Sequence, residues 1–300
     1  MTRVSMVLAL LAILPALPAA GQDMPLSQVL IEWEGWELVS AGYQFTEGPA
    51  VDKDGVLYFS DIPASTIYKL DATGTVSKFV EESGKSNGLM FGPDGRLYAC
   101  QNGERKIVAY DAEGKPTTIA SEVDSNDLVV RGDGSIYFTD PKNQRVWYIS
   151  PAGEKKVVDE GITFPNGIIL WPGQGTLVVA DSKSDRLFAF RIEKDGTLSC
   201  KQPYYILQRD HDNPESGADG MTVDSAGRLY ATSKAGLQMF DPTGRLGGVI
   251  LKPQNAGLSN VVLGGPKFDI LYVTSKDKVY KRKVKVTGVQ YGPPGEKKKS

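Results

Sequence analysis

One pattern of apolar and polar positions recurs six times along the chain. Each copy is a strand-like run of small, aromatic and apolar residues with a mostly polar end, as in Leu57-Tyr58-Phe59-Ser60-Asp61. The other copies read LYACQ, IYFTD, LVVAD, LYATS and LYVTS, and the six start at positions 57, 97, 136, 177, 229 and 271. A repeat of about 40 residues that contains several short strands is typical of a β-propeller.

Each copy lies in a unit with a fixed order of elements. A short apolar strand comes first, then a turn rich in Asp, Pro and Gly such as DKDG or GPDG, and then the recurring strand. A third strand and a weaker fourth strand follow, with another polar turn between them. The units predict an all-β fold, a six-bladed β-propeller with four antiparallel strands in each blade.

Both ends of the propeller are predicted to meet in one blade. Residues 36–41 read as an extra strand before the first unit, and the last unit ends with residues 279–283. Because open sheet edges invite unwanted pairing, a closed propeller often completes one blade with strands from both termini. We expect residues 36–41 to pair with the final blade.

A polar residue stands ten or eleven positions before the start of each recurring strand. All six are acids or amides, and Gly follows four of them. The six are Glu47, Asn87, Asn126, Asn166, Asp219 and Asn260. Such side chains also cap turns at strand ends. Six of one chemical type at one offset instead indicate side chains that point toward a common centre.

The oxygen donors of this set suit a hard cation. Carboxylate and amide oxygens are the ligands that Ca²⁺ prefers, and they also bind Mg²⁺ or Mn²⁺. The prediction is one divalent cation, with calcium favoured and magnesium, manganese or zinc as alternatives. The single histidine and two cysteines leave no zinc site of the ordinary type.

The first 22 residues read as an export signal rather than as part of the fold. Arg3 precedes the apolar run 6–20, and small residues follow it. The run is shorter than the roughly 18 residues of a membrane helix, which favours a cleaved signal peptide over an uncleaved anchor. We expect a secreted or periplasmic protein with a propeller domain over 23–292 and a disordered tail over 293–300, and no membrane contact after cleavage.

Composition narrows the partners. With 34 basic and 36 acidic residues the net charge is −2, which argues against a nucleic-acid partner. Cys100 and Cys200 are the only cysteines, and we expect them to be unpaired, although export would permit a disulfide. His211 is the only histidine and has no partner motif, so we expect it to be incidental to catalysis.

The longest interval between repeats separates the fourth and fifth units. Its extra residues lie in 198–218 and run directly into Asp219. A long loop beside the polar ring would form a rim or lid, and the alternative is a surface excursion without a role.

Several motifs resemble the senescence marker protein/gluconolactonase family. They are FTEGP from Phe45, PNG from Pro165, ADGM from Ala218 and SNV from Ser259, and the similarity runs from about Glu37 to Thr274. The resemblance implies a six-bladed propeller with a divalent ion, usually calcium, in the central channel. It also implies hydrolysis of lactones, and a related branch hydrolyses organophosphates.

The resemblance assigns roles to the polar ring. Glu47, Asn166 and Asp219 match metal ligands, and Asn126 matches an Asn close to metal and substrate. Asp219 also matches the proposed acid–base carboxylate. Asn87 and Asn260 are further candidates for the substrate pocket.

Two further positions bear on specificity. Animal members carry a substrate-contacting Arg two residues before this Asn, and here that position is Asp124. Arg105, in NGER, resembles the bacterial branch and is a candidate for the rim of the pocket. The alternative for Arg105 is an exposed turn residue.

These observations predict metal-dependent hydrolysis of a small lactone or ester. The cation would polarise the carbonyl, and Asp219 would transfer the proton to the leaving oxygen. The chain lacks a Gly-x-Ser-x-Gly motif, and one isolated histidine does not favour a serine triad. The alternatives are a phosphotriesterase-like or strictosidine-synthase-like hydrolase on the same scaffold, and a non-catalytic binding propeller stabilised by calcium.

Overall fold

A computed structural model describes residues 25–71, 73–209 and 212–291. The predicted signal peptide, the predicted tail and His211 lie outside these ranges, so those expectations stay predictions. The described residues form six four-stranded antiparallel sheets. Two short 3-10 helices also occur, at Leu26–Gln28 and Pro141–Asn143.

Five blades use four consecutive strands each, and the inner strand is the first in sequence. Blade 1 contains β2 (Thr46–Val51), β3 (Leu57–Asp61), β4 (Thr66–Leu70) and β5 (Val76–Val80). Blade 2 contains β6 (Ser86–Phe91), β7 (Leu97–Gln101), β8 (Lys106–Tyr110) and β9 (Pro116–Ser121). Blade 3 contains β10 (Leu128–Val130), β11 (Ile136–Asp140), β12 (Arg145–Ile149) and β13 (Lys155–Glu160).

The remaining blades follow the same scheme, apart from the outer strand of the last. Blade 4 contains β14 (Pro165–Leu170), β15 (Thr176–Asp181), β16 (Arg186–Ile192) and β17 (Leu198–Ile206). Blade 5 contains β18 (Met221–Val223), β19 (Leu229–Ser233), β20 (Gly236–Phe240) and β21 (Leu246–Ile250). Blade 6 contains β22 (Asn260–Gly264), β23 (Ile270–Ser275), β24 (Lys278–Lys283) and, as its outer strand, β1 (Glu37–Ala41).

The predicted six-bladed propeller is confirmed. The inner strands contact each other in the order β2, β6, β10, β14, β18 and β22, and β22 returns to β2. The recurring strands of the sequence are the second strand of each blade. Apolar side chains bury themselves between neighbouring blades, as where Tyr98 and Cys100 of blade 2 share a cluster with Leu128 and Phe138 of blade 3.

The predicted closure of the ring is also confirmed. β1 pairs with β24 in antiparallel register, with Glu37 opposite Lys281 and Ala41 opposite Lys278. Trp36 precedes the strand, and its indole Nε1 donates to the Leu251 carbonyl at 2.8 Å. The two ends of the described chain therefore build one sheet.

The long interval after blade 4 is only partly a loop. Residues 198–206 form the nine-residue outer strand β17, and the loop begins after Ile206. Cys200 lies exposed in that strand, Cys100 is buried in β7, and the two are unpaired. In the part of the chain that the structure describes, no helix has the length and apolar character to span a membrane.

Glycines after the polar ring residues let neighbouring inner strands approach closely. A Cβ at Gly167 would lie 2.0 Å from the backbone oxygen of Asp219 in the next blade. A Cβ at Gly88 would lie 2.2 Å from Oδ1 of Asp127. The recurring acid- or amide-Gly pairs are therefore explained by blade-to-blade packing at the axis.

This packing predicts the effect of Gly167→Ala. The added methyl group meets backbone that cannot rotate away, so we expect a loss of about 1–3 kcal/mol in unfolding free energy, as for other overpacked sites. Gly173→Ala is the matched control. A Cβ at Gly173 would have no atom within 4 Å apart from those of its two neighbours in the chain. The control should stay within about 0.5 kcal/mol of the parent. Urea unfolding measures both, and equal losses would contradict the packing argument.

Candidate active site

All six predicted polar residues lie at the start of an inner strand. Glu47, Asn87, Asn166 and Asn260 are among the first two residues of their strands. Asn126 and Asp219 come two residues before β10 and β18. Because the inner strands surround one axis and begin at the same face of the propeller, these side chains meet at one end of the channel.

Hydrogen bonds link the polar ring from blade to blade. The Asn87 amide Nδ2 donates to Oδ1 of Asn126, whose own Nδ2 donates to Oδ1 of Asn166. On the other side of the ring, Asn260 Nδ2 donates to Glu47 Oε2 at 3.1 Å. The structure therefore brings together side chains that are up to 213 residues apart in sequence.

Hydroxyl groups of the second strands fix the inner strands of neighbouring blades. Ser60 Oγ donates to the Asn87 carbonyl at 2.9 Å, and Thr139 Oγ1 donates to the Asn166 carbonyl at 2.6 Å. In blade 5, Thr232 Oγ1 donates to the carbonyl of Ser259, the residue before Asn260, at 3.0 Å. The Ser or Thr of the recurring strand thus positions the polar ring of the following blade.

Two of the aspartates that end recurring strands, Asp61 and Asp181, bind the backbone of segments that lead into the ring. Both carboxyl oxygens of Asp61 accept backbone N–H bonds at 3.0 Å, from Gln44 and Phe45. Asp181 Oδ1 accepts from the Phe164 N–H at 3.0 Å. These aspartates act as caps for the segments that lead into Glu47 and Asn166, and they do not belong to the ring.

Asp127 is a further residue of the ring that the sequence pattern missed. It stands where four other repeats have Gly, directly after Asn126. Its Oδ1 accepts from the Leu128 N–H at 3.0 Å, and its Oδ2 lies 3.5 Å from Nδ2 of Asn260. Blades 3 and 6 face each other across the axis, so this contact spans the channel. The only signal in the sequence was an acid in place of the usual glycine.

Three carboxyl groups share this enclosed space. Burial raises the pKa of Glu47 to about 7, and the charge of Asp127 adds to the effect. Burial likewise raises the pKa of Asp127 to about 7. The pKa of Asp219 is raised well above its usual value by burial, and then by the charges of Glu47 and Asp127. Among the described residues, no Lys or Arg forms an ion pair with any of the three.

The donor set fits a hard divalent cation. Among residues 25–71, 73–209 and 212–291, no group of three or more acidic, His or Cys side chains is arranged to hold a metal by itself. A cation would therefore use amide oxygens as well as carboxylates, which is the mixture that the ring offers. The unpaired charge of the three buried acids would be offset by such an ion.

Arg105 lies on the same face but is bound to Asp124. Its Nε and Nη2 donate to the two carboxyl oxygens of Asp124 at 3.1 Å each, and Lys142 Nζ lies 3.2 Å from Oδ1. The side chain of Arg105 is 54% exposed. Arg105 is therefore held by Asp124, which lies two residues before Asn126 in the sequence. Among the described residues, no hydrogen bond joins Arg105 to the polar ring. Substrate contact by Arg105 stays a prediction.

The segment before Asp219 is tied to the same face. Glu215 accepts from Lys183 at 2.8 Å and from Lys234 at 3.3 Å, which are turn residues of blades 4 and 5. The Ser216 N–H donates to the Ser184 carbonyl at 3.2 Å. The described part of this segment therefore forms a rim beside Asp219, as one of the two expectations had it.

Solved structures share the fold. A calcium-binding protein, regucalcin, from Agrobacterium tumefaciens str. C58 matches with a TM-score of 0.74 at 17% sequence identity. The match covers 87% of this chain and 97% of that chain. At this identity the likeness shows the fold alone.

Two relatives are lactonases. Gluconolactonase from Zymomonas mobilis subsp. mobilis is 27% identical over an alignment of 294 residues, gaps included, that covers 84% of this chain and 82% of that protein. Lactonase drp35 from Staphylococcus haemolyticus is 28% identical over an alignment of 245 residues, gaps included, that covers 73% of each protein. The family model of the SMP-30/gluconolactonase/LRE-like region matches residues 45–277, a span that contains every residue of the polar ring. The chain therefore belongs to the SMP-30/gluconolactonase/LRE-like family.

Proposed function

We propose that this protein is a metal-dependent lactonase that opens a small lactone ring at the axis of the propeller. Family membership and the two lactonase relatives support a lactonase-type hydrolase. The observation that carries the metal dependence is the ring of oxygen donors, whose three carboxyl groups have no cationic side chain as partner within the described ranges of the chain. The relatives do not favour the organophosphate, strictosidine-synthase-like or non-catalytic alternatives.

The proposed cation ligands are Glu47, Asn166 and Asp219, with Asn126 in or next to the shell. Calcium is favoured, because carboxylate and amide oxygens are its usual donors and its coordination is flexible. When bound, the ion would supply Lewis-acid polarisation of the lactone carbonyl and stabilise negative charge that develops there.

The side chains of the ring divide the remaining work. Asp219 is partly exposed, unlike Glu47, so its carboxylate can exchange a proton with water that enters the channel mouth. We assign it the role of taking a proton from the attacking water and delivering it to the ring oxygen that leaves. Asn87, Asn126 and Asn260 carry amide groups that can orient hydroxyl groups of the substrate.

The first prediction from this proposal concerns the affinity of the protein for calcium. Glu47→Gln keeps the size of the side chain but removes a ligand charge. We expect calcium to bind at least about 10- to 100-fold more weakly, since loss of a residue that only hydrogen-bonds to a metal ligand already lowers affinity by this factor. Isothermal titration calorimetry on the metal-free protein measures this. Glu113→Gln, in an exposed turn of blade 2, is the control and should bind like the parent. Unchanged affinity in Glu47→Gln would place the cation elsewhere.

The second prediction concerns proton transfer. Asp219→Asn retains an oxygen ligand of the same size but cannot take up a proton at working pH. We expect kcat for lactone opening to fall about 10²- to 10⁴-fold at saturating calcium, the usual contribution of a general acid–base group. Asp212→Asn, in the exposed approach to the same residue, is the matched control. Full recovery of the rate at saturating metal would reduce Asp219 to a ligand only.

The third prediction concerns the metal-free protein. The pKa values of Glu47 and Asp127 are about 7 in the folded protein, against ordinary values of 4.5 and 3.8. The folded protein therefore binds these two protons more tightly than the unfolded chain does. Their protonated forms stabilise the fold at low pH, and this contribution is lost as pH rises from about 4 through about 7. We expect the melting temperature in chelator to fall between pH 5 and pH 8.

A neutral variant separates this effect from other titrations. Asp127→Asn removes one of the two raised groups, so its melting temperature should depend less on pH over the same window. Added calcium should raise the melting temperature of the parent more at pH 8 than at pH 5, since protons and cation compete for the same oxygens. A parent protein that gains stability from pH 5 to pH 8 in chelator would contradict the assignment.

A further inference from the structure

A cavity of about 1150 Å³ lies on the far side of the polar ring. It runs along the inner strands toward the face where the turns between first and second strands lie. Two residues of the polar ring line it, Asp127 and Asn260, and the other five do not: Glu47, Asn87, Asn126, Asn166 and Asp219. We call this space the far chamber. It is distinct from the channel mouth at which the lactone would react.

A second ring of residues surrounds the far chamber. Each blade contributes one residue of its inner strand. This residue pairs with the second residue of the recurring strand, as Ala50 pairs with Tyr58 of LYFSD, and all six such residues line the cavity. They are Ala50, Met90, Val129, Ile169, Thr222 and Val262. Five are apolar, and Met90, Ile169 and Val262 keep part of their surface uncovered by protein although they lie on inner strands. The far chamber thus has a largely apolar wall, on which these three side chains keep surface that no other side chain covers.

The polar end of the far chamber is narrow. Oδ2 of Asp127 and Nδ2 of Asn260, from opposite blades, approach to 3.5 Å across the axis. Their contact forms a partition between the polar ring and the apolar wall. It presents one carboxyl group and one amide to the chamber, and the hydroxyl-bearing Thr222 lies on the wall.

The other end is covered by residues 287–291, which we call the strap. The Thr287 carbonyl accepts from Ser225 N–H of blade 5 at 2.8 Å, and the Gln290 side chain donates to the Lys53 carbonyl of blade 1 at 2.9 Å. The Tyr291 hydroxyl donates to the carbonyl of Leu170 in blade 4. The strap therefore crosses the far face from blade 5 to blades 1 and 4, and its residues line the chamber.

We propose that the far chamber binds a small neutral molecule that is mainly apolar and has at most one polar end, with the strap as its cover. The apolar wall favours such a ligand, because burying its surface releases water from both partners. The Asp127–Asn260 partition can accept or donate one hydrogen bond to the polar end of the ligand. Charged residues also line the cavity, and two of them, Lys53 and Asp54, are largely exposed and pair with each other at 2.7 Å.

The test uses the full chain and the neutral fluorophore 1-aminoanthracene. We expect saturable binding of one probe per chain. Val262→Trp fills the chamber from blade 6 and should weaken binding at least about tenfold, which corresponds to about 1.4 kcal/mol. Ile169→Trp blocks it from blade 4 and serves as a second variant if the first does not fold. Asp219→Asn, on the other side of the partition, should bind the probe like the parent.

The strap provides an independent measurement. Tyr291→Phe removes the hydroxyl that anchors the strap to Leu170, so we expect faster release of the probe in stopped-flow experiments. Absence of saturable binding by the parent, parent-like binding by a folded Trp variant, or unchanged release from Tyr291→Phe would overturn the proposal. Probe binding lost in Asp219→Asn would also overturn it, because the probe would then occupy the channel mouth. The outcome is independent of whether the protein opens lactones.

Discussion

A hydrogen bond from the hydroxyl of one blade to the inner strand of the next is the contact on which the site depends. Ser60 and Thr139 make this bond directly to the ring residues Asn87 and Asn166. Ser259 Oγ closes the circle, since it donates to the Thr46 carbonyl at 2.8 Å and so joins blade 6 to blade 1. Each such bond contributes about 1 kcal/mol. Their larger effect is geometric, because they set the spacing of polar side chains that belong to separate sheets.

This spacing gives the channel an electrostatic cost. Three carboxyl groups are held close together at the axis without a basic partner among the described residues, and burial of unpaired charge is unfavourable. The apolar clusters between blades supply the stability that tolerates it. Under the proposed function, the same arrangement provides the affinity for a divalent cation. Closely spaced carboxyl groups therefore strengthen metal binding but lower the folding stability of the metal-free protein.

The repeat spacing was sufficient to predict the blades, the second strands and the six polar positions, because each repeat states the same local pattern. The partition was not predictable, since Asp127 meets a residue 133 positions away and only the closed ring brings them together. The repeat marks one polar position in each unit, and Asp127 occupies the next position, where four other repeats have glycine. The strap was missed for a similar reason: residues 287–291 carry no repeat pattern, and their role follows from the blades they cross. Asp61 and Asp181 are acids like two of the ring residues, and it is their backbone partners in the structure that show them to be caps.

The shared sixth blade has a consequence for how the chain folds. β1 lies near the beginning of the described chain and pairs with β24 near its end, so this sheet cannot be completed until almost the whole sequence has left the ribosome. Blades 1 to 5 consist of consecutive strands and can form earlier, whereas the ring of blades stays open until the sixth is complete. Closing it brings together residues more than 200 positions apart, and such distant pairing is slow. The polar ring, to which blades 1 and 6 contribute Glu47 and Asn260, is therefore assembled only in the last step of folding.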